Sequence, residues 1–427
     1  AAPAGPAGPA PQTHPAPQAH PAKATLIERS APWLRKTRTG ALDAQHYGFQ
    51  SGPRGTWLHF SERLHRELQD FAAFVSPTAG EAAARAQVVR RVDDVVRRLF
   101  GGDRRHVECF GSWETQLCLP TSDIDLVVVE DAGGAGAVVG GVQVRARPPL
   151  RKLARALVQA GLAQPASVQV ISRARVPIVK FTDRATGLPV DVSFDTASGL
   201  DGARFLKRQL LRYPALRPLI LFLKHFLHQR GLNEVFRGGL GSFSVACLVL
   251  SFLQVHPLVQ LALIRPEDNL GVLLMELLEL YGRHLNYERV GICVGVDRDA
   301  AGAAAAARIP SPLDTSIGYY DKLDFGFLLD ARPHLLSILD PQNPDNDLAK
   351  PSFSITAVRM ALEHAFNVLS ATAVELDHHA RSHHPRTDGS ILAALVSIPD
   401  KVTSHRQYLD TFKADRKSTR LNSITIS

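Results

Sequence analysis

Asp123-Ile124-Asp125, running straight into Leu126-Val127-Val128-Val129, constrains this chain more than any other stretch. An unbroken apolar run of that length reads as a strand buried on both faces. Alternate residues of a strand share a face, so Asp123 and Asp125 project together, with Cα atoms about 6–7 Å apart, while Ile124 turns into the core. Eleven residues before Asp123 stands Gly111-Ser112, a small turn that closes the predicted first strand, Val107 to Phe110. Gly111 lets backbone approach closely, and the Ser112 hydroxyl and nearby N–H groups can hold a terminal phosphate. Two aligned carboxylates at the solvent end of a strand can bridge a pair of divalent ions roughly 3.5–4 Å apart. An isolated Asp-x-Asp more often just ends a strand. Here the Gly-Ser turn and a later acidic strand favour nucleotidyl transfer assisted by two ions.

That later strand requires a choice among Asp183, Asp191 and Asp195. Asp183 falls in the polar, Gly-containing turn Thr182 to Gly187, where Asp usually shapes the turn. Asp195 lies near the strand's end and reads as structural. Asp191 sits inside Pro189-Val190-Asp191-Val192-Ser193-Phe194, with apolar neighbours on both sides, and is taken as the third metal-binding carboxylate. Mg²⁺ suits such a set, since it prefers a few carboxylates, substrate phosphates and waters. Mn²⁺ accepts the same oxygens.

At 427 residues the chain can hold two domains of ordinary size. Cys109, Cys118, Cys247 and Cys293 are scattered, giving neither a disulfide framework nor a zinc knuckle and suiting a reducing intracellular compartment. No signal peptide is evident, and Phe243 to Val255 is too short to cross a bilayer, reading instead as a buried helix. The net charge of +8 mildly favours a polyanionic partner. Arg90-Arg91 and Arg97-Arg98, however, read as the solvated face of a helix.

Along the chain, Ala/Pro-rich residues 1 to about 25 are expected to be disordered. Amphipathic helices are predicted over Trp57–Phe74 and Glu81–Leu99, the second with Val88, Val92, Val95, Val96 and Leu99 inward. The Gly/Ala stretch Gly133 to Gly141 reads as a mobile loop. Leu150–Ala160 is predicted as a helix, and Ser167–Ile171, Ile178–Phe181 and Val190–Phe194 as strands. Helices then dominate, over Ala203–Leu211, Arg217–Gln229, Ser242–Val255 and Asn269–Tyr281. Asp299–Pro312 reads as a surface insert and Ser354–Ser370 as the last helix. His378, His379, His383 and His384 with Asp377 could ligate a metal, but nothing in the pattern fixes them, and a solvated linker is the preferred reading. Arg416–Ser427 shows no continuity with what precedes it and is assigned no function.

Several of these segments together carry a family resemblance. Phe110-Gly111-Ser112-Trp113-Glu114-Thr115, the stretch Leu117 to Asp125, and Val190 to Phe194 resemble the catalytic strands of non-canonical poly(A) polymerases, terminal nucleotidyltransferases with a DNA-polymerase-β-like palm. Gly231 to Phe236, Gly238 to Phe243, Asn269 to Leu274 and Asp340 to Asp347 are similar to the TRAMP type within that group. The likeness runs from about Trp57 to Ser370. It implies an α+β fold, with a mixed-sheet palm near 80–205 and a helical central (poly(A)-polymerase-associated) domain over 206–370. Residues 57–79 would pack on the latter, and 1–56 and 371–427 would flank the core. The nucleotide would lie in the cleft.

Carried over residue by residue, the resemblance assigns Asp123 and Asp125 to both ions, and Asp191 to the ion that activates an RNA 3′-hydroxyl. Lys224, which interrupts the apolar run Leu219 to Leu223, would bind triphosphate. Gly199 marks close passage of backbone by the nucleotide. Ser242 would meet phosphate, and Phe243, replacing the commoner Tyr, would stack on the base. Asn346 would recognise adenine through its amide, and uridylyltransferase relatives tend to carry His near that position. Lys350 stands where relatives commonly have Arg, keeping the charge but losing the planar fork. The implied activity is addition of adenosines from ATP to RNA 3′ ends in nuclear RNA surveillance. A zinc-knuckle protein and an RNA helicase are the implied partners. Uridylyl transfer and a catalytically silent scaffold are the alternatives.

Overall fold

The computed structural model describes residues 31–412 apart from 41, 44, 48–58, 103–104, 131–137, 140–141, 144–147, 175, 195–196, 296–316, 326–331, 344 and 382–388. Readings made on residues 1–25, Trp57, Asp195, the insert 299–312, His383, His384 and 416–427 lie outside the described residues, as does most of the Gly133–Gly141 stretch.

Helix α1, Phe60–Val75, buries Leu64, Leu68, Phe71 and Val75, the i, i+4, i+7, i+11 stripe of an amphipathic helix. Helix α2, Ala79–Phe100, begins at a capping box in which Thr78 and Glu81 satisfy each other's backbone N–H groups, and it ends on Gly101 in the left-handed region. Its buried residues include the predicted Val88, Val92, Val95 and Val96, while Leu99 stays half-buried. Strand β1, Arg105–Phe110, leads into the one-turn helix α3, Gly111–Glu114, and β2 follows over Ile124–Glu130. The short strands β3, Val138–Val139, and β4, Val142–Gln143, pair in the stretch read as a loop. Helix α4, Leu150–Gln159, precedes β5, Gln169–Ile171, β6, Ile178–Thr182, and β7, Pro189–Phe194. The predicted start of β5 at Ser167 is instead the end of a 3₁₀ turn opened by Pro165, because proline has no N–H to give a ladder.

The main sheet has the order β1-β2-β7-β6-β5. It is mixed: β2 and β7 are parallel and every other neighbouring pair is antiparallel. Helices α2 and α4 cover one face, closing a core that includes Val88, Val92, Leu126, Leu153, Phe181 and Val192. Asp183 shapes the turn between β6 and β7, accepting from the Thr186 N–H and hydroxyl at 2.8 Å each while paired with Arg91. One of the arginines read as solvated is thus engaged across the fold.

Helices α5, Ala197–Arg212, α6, Leu216–His228, α7, Ser242–Val255, α8, Pro257–Gln260, and α9, Leu270–Glu279, build the second unit. Helix α5 starts earlier than the predicted Ala203 and so takes Gly199 into its first turn. Apolar almost all round, α7 is buried from Ser244 to Gln254, as a central helix must be. Helix α1 packs on α6 and α9, and the core around them includes Phe71, Phe222, Phe226, Val249, Leu274 and Tyr281. Gly271 permits the α1–α9 crossing, since a Cβ there would collide with the Ser61 carbonyl. Strands β8, Val290–Val294, and β9, Ile317–Asp321, form a separate antiparallel pair.

The long helix Ile355–Arg381 outruns its predicted end at Ser370. Beyond it, residues read as uninformative fold back onto the body. Buried Glu67 of α1 accepts hydrogen bonds from Ser390 Oγ at 2.7 Å, Ile391 N at 3.0 Å and Leu392 N at 3.1 Å. A final helix, Asp400–Thr411, packs on α2. Its buried Arg406 reaches the Ser76 carbonyl at 2.8 Å and Glu81 at 2.9 Å. Among the described residues no helix is long and apolar enough to cross a membrane.

Candidate active site

Strand pairing brings the acidic residues together. In the parallel ladder Asp125 lies opposite Asp191, and in the antiparallel one Phe110 lies opposite Asp125. The Gly-Ser turn therefore arrives directly beside the carboxylates. Gly111 has φ +66°, and a Cβ on it would collide with Asp125 Oδ2, so both conformation and space demand glycine. The Ser112 N–H donates to Asp125 and pulls its carboxyl pKa down, but burial, with Asp123 and Asp191 close by, pushes it up to about 7. Burial, then Asp123, raises Asp191 to about 6, with Lys180 opposing.

One oxygen from each of Asp123, Asp125 and Asp191 lies within 4.8 Å of the others. Asp191 Oδ1 is buried and accepts no hydrogen bond. Three convergent carboxylates, with the charged forms of Asp125 and Asp191 disfavoured and one Asp191 oxygen orphaned, suit a divalent cation, which supplies the missing charge and partner together. The donor set fits such an ion.

Lys180 completes the cluster. It stands opposite Asp191 in the β6–β7 ladder, with Nζ 3.1 Å from Asp191 Oδ2 and 3.6 Å from Asp123 Oδ2. Burial alone would lower its pKa, but Asp191 and Asp123 raise it. Sequence reasoning missed this residue. The signal was present, since Lys180 lies between the buried Val179 and Phe181 and must face away from their core. Its register against Asp191 depends on the pairing.

The cluster opens into a cavity of about 1000 Å³ between the sheet and the helical unit. Gly111, Ser112, Asp123, Asp125, Lys180 and Gly199 line its sheet side. A Cβ on Gly199 would come within 2.8 Å of the Phe110 ring, so close packing also requires that glycine. From the helical side come Lys224, Ser242, Phe243 and Asn346. Lys224 is only 7% exposed, and its ammonium donates to the Leu117 carbonyl at 2.6 Å. Burial lowers its pKa to about 8, against the opposing pull of Cys118, Asp125 and Asp123. Ser242 occupies the first turn of α7, whose N-cap is Gly241 with no side-chain cap, leaving N–H groups for an anion. The Phe243 ring is half-buried, edge-on to Phe205 at 6.4 Å.

Asn346 Nδ2 donates to Asp340 Oδ2 at 2.8 Å, which orients the amide and leaves one N–H and the carbonyl oxygen for a ligand. Asp347 shapes the loop, accepting from Ser337 Oγ, Ile338 N and Ala349 N. Lys350 is not brought into the site. It is exposed and absent from the cavity wall, because the turn that follows Asp347 carries it outward. Asn233, Glu234 and Gln342, which sequence reasoning had not singled out as site residues, also line the cavity. Asp123, Asp125 and Asp191 form the one candidate metal-binding group among the described residues.

Residues 64–208 match the family described as poly(A) RNA polymerase, mitochondrial-like, central palm domain, and residues 269–346 match the Cid1 family poly A polymerase. The polymerase core of TRAMP, an RNA surveillance complex, superposes with a TM-score of 0.66 at 34% identity, covering 80% of this chain and 95% of that one. Fold and site thus define a polymerase-β-like nucleotidyltransferase.

Poly(A) RNA polymerase cid14 of Schizosaccharomyces pombe is 36% identical over 352 residues, covering 82% of this chain and 47% of that protein. Poly(A) RNA polymerase protein 2 of Saccharomyces cerevisiae is also 36% identical, over 81% of this chain and 53% of that protein. The chain spans about half the length of these curated relatives. The inactive non-canonical poly(A) RNA polymerase protein Trf4-2 of Drosophila melanogaster is 32% identical, covering 81% of this chain and 76% of that protein. This chain belongs to the non-canonical poly(A) RNA polymerase family.

Proposed function

We propose that the chain is a template-independent adenylyltransferase that extends RNA 3′ ends with ATP. The observation that carries this reading is the convergence of Asp123, Asp125 and Asp191 at a cleft large enough for a nucleotide, with Asp123 and Asp125 on its wall and Asp191 behind them. The relatives' designation as poly(A) RNA polymerases supports it. The three carboxylates would hold two ions, Mg²⁺ or Mn²⁺, which when bound lower the pKa of the attacking hydroxyl and stabilise the leaving pyrophosphate. No side-chain base is then required.

The remaining residues bind and orient. Ser112, the free N–H groups at the start of α7, Ser242 and the buried Lys224 surround the place for the triphosphate. Gly111 and Gly199 keep backbone close to it. Phe243 offers a face for the base, and Asn346, held by Asp340, offers a donor and an acceptor to the adenine edge. RNA surveillance in the nucleus, with a zinc-knuckle protein and an RNA helicase as partners, is the proposed setting. The likeness to the TRAMP core supports it.

Primer extension on labelled oligo(A) with each NTP separately, with Mg²⁺ or Mn²⁺, tests the reading. Extension with ATP, lost in Asp123→Ala/Asp125→Ala, is the expected result, and a purified zinc-knuckle partner should increase it. Preference for UTP would replace the reading with uridylyl transfer. No extension even with the partner would make the chain a silent scaffold, the state printed in the name of its relative Trf4-2.

A further inference from the structure

The segment that supplies Asn233 and Glu234 to the cavity wall continues into a tight 3₁₀ turn, Val235–Arg237, closed by Gly238 at φ +82°. Phe236, on this turn, is 75% exposed, although an apolar side chain of its size ordinarily stabilises a fold by being buried. A second ring, Phe353, lies against Gly238, where any Cβ would collide with it, and is itself 53% exposed. Between them in sequence stands Arg237, exposed, with its guanidinium 5.4 Å from the Phe236 ring centroid. Arg237 has no carboxylate partner among the described residues.

The turn itself is firmly held. Arg237 and Gly239 N–H groups bond to the Glu234 carbonyl at 3.0 and 2.9 Å, and Gly238 N–H to the Val235 carbonyl at 2.9 Å. From the far side Ser354 N donates to the Gly238 carbonyl at 2.9 Å, and Ser352 Oγ to the Gly239 carbonyl at 3.0 Å. Exposed aromatics on a rigid turn, with a free guanidinium beside them and the same loop lining the reaction cavity, have the makings of a single-strand binding surface. Every base has a face to stack, and the strand's phosphates match the cation.

We propose that Phe236 and Phe353, with Arg237 beside Phe236, form a stacking platform for the bases of the RNA strand immediately upstream of the 3′ end that enters the cavity. This rests on the proposed reading of the cavity as an RNA-extending site. The platform would be tolerant of sequence, because it grips by ring faces and one charge rather than by base edges.

The test is binding of fluorescein-labelled oligo(A) to the full chain by anisotropy, without nucleotide, over a range of salt, beside primer extension with ATP. Phe236→Ala is expected to weaken oligo(A) about tenfold and Phe236→Trp to restore it. Arg237→Ala should reduce the salt slope by about one. Thermal midpoints and the KM for ATP should stay at wild-type values, since both side chains are exposed and neither lines the cavity. Wild-type oligo(A) affinity in Phe236→Ala, or a lowered thermal midpoint accounting for the loss, overturns the platform. The two readings separate cleanly. Extension with ATP that is indifferent to Phe236 overturns the platform and leaves the adenylyltransferase standing. A Phe236-dependent affinity in a protein that extends with no nucleotide supports the platform and removes the enzyme.

Discussion

The two walls of the cleft are built to different standards of internal satisfaction. On the helical side Lys224 bonds to the Leu117 carbonyl and Asn346 to Asp340, and what stays open is neutral: the first N–H groups of α7 and the buried Gln342 Nε2. On the sheet side three carboxylates crowd together, two with raised pKa values and one with a buried oxygen that accepts no hydrogen bond, and Lys180 is the cation touching two of them. One wall leaves only neutral groups open. The other is complete only when something positive arrives, and such a wall costs stability to maintain.

The largest effect that would break this contrast is at Asp125. Replacing it with Asn should reduce extension by about 1000-fold or more, since charge stabilisation of several kcal/mol is removed. Without divalent ions the same variant should melt at or above the wild-type temperature, as one member of a repelling set is neutralised. A clear fall in ion-free stability would show that the sheet wall is satisfied after all. Differential scanning calorimetry in a chelator, beside a single-turnover assay, reads both quantities.

Next in size is the dependence on pH. Asp125 and Asp191 have folded-state pKa values of about 7 and about 6, above the ordinary 3.8. Between pH 4 and 7 the folded state therefore binds more protons than the unfolded one, so ion-free stability should fall as pH rises through that window. The expected loss is several kcal/mol, at ~1.4 kcal/mol per pKa unit, measured by urea melts in a chelator. Saturating Mn²⁺ should flatten the slope, whereas the same slope with and without the ion would sink the account.

A smaller effect is expected at Lys180. Lys180→Gln should destabilise the ion-free protein by about 1 kcal/mol, because two partly buried carboxylates lose their cation. It should also strengthen Mn²⁺ binding several-fold in calorimetric titration, as the ammonium no longer shares the oxygens. Weaker Mn²⁺ binding would show instead that Lys180 helps to hold the ion site in shape. The smallest effect is at Lys350, where Ala should leave the KM for ATP within about twofold, as for an ordinary surface residue. A larger rise would mean that the exposed lysine turns inward when nucleotide binds.

How much of this was legible in the sequence depended on whether the signal was local. Asp123, Asp125 and the strand behind them were readable because alternation along one strand fixes its faces. Asp191 was readable from its apolar neighbours. Lys180 was not, since its role depends on which strands are neighbours, and the order β1-β2-β7-β6-β5 is a long-range choice. Lys350 was expected at the nucleotide from a family position alone, and the turn after Asp347 leaves its side chain exposed. The helix Asp400–Thr411 escaped notice because it buries little that is apolar. Its buried residues are Leu409 and the charged Arg406, so periodicity had almost nothing to register.

The hydrogen bonds that Ser390, Ile391 and Leu392 give to Glu67 have a consequence for the order of events during synthesis. Helix α1 leaves the ribosome well before these residues, so its buried carboxylate, paired on its own helix with Arg63, meets these donors more than 320 residues later. Until those residues emerge, Glu67 must stay in water or be buried with Arg63 as its one partner, at considerable cost. The helical unit therefore cannot close around α1 in its final form as the chain grows, whereas the strands of the sheet are all available by Phe194. The strands of the catalytic floor can pair early, but both units are finished late, the wall by Ser390 to Leu392 and the helix α2 over the floor by Arg406 bonding to Glu81.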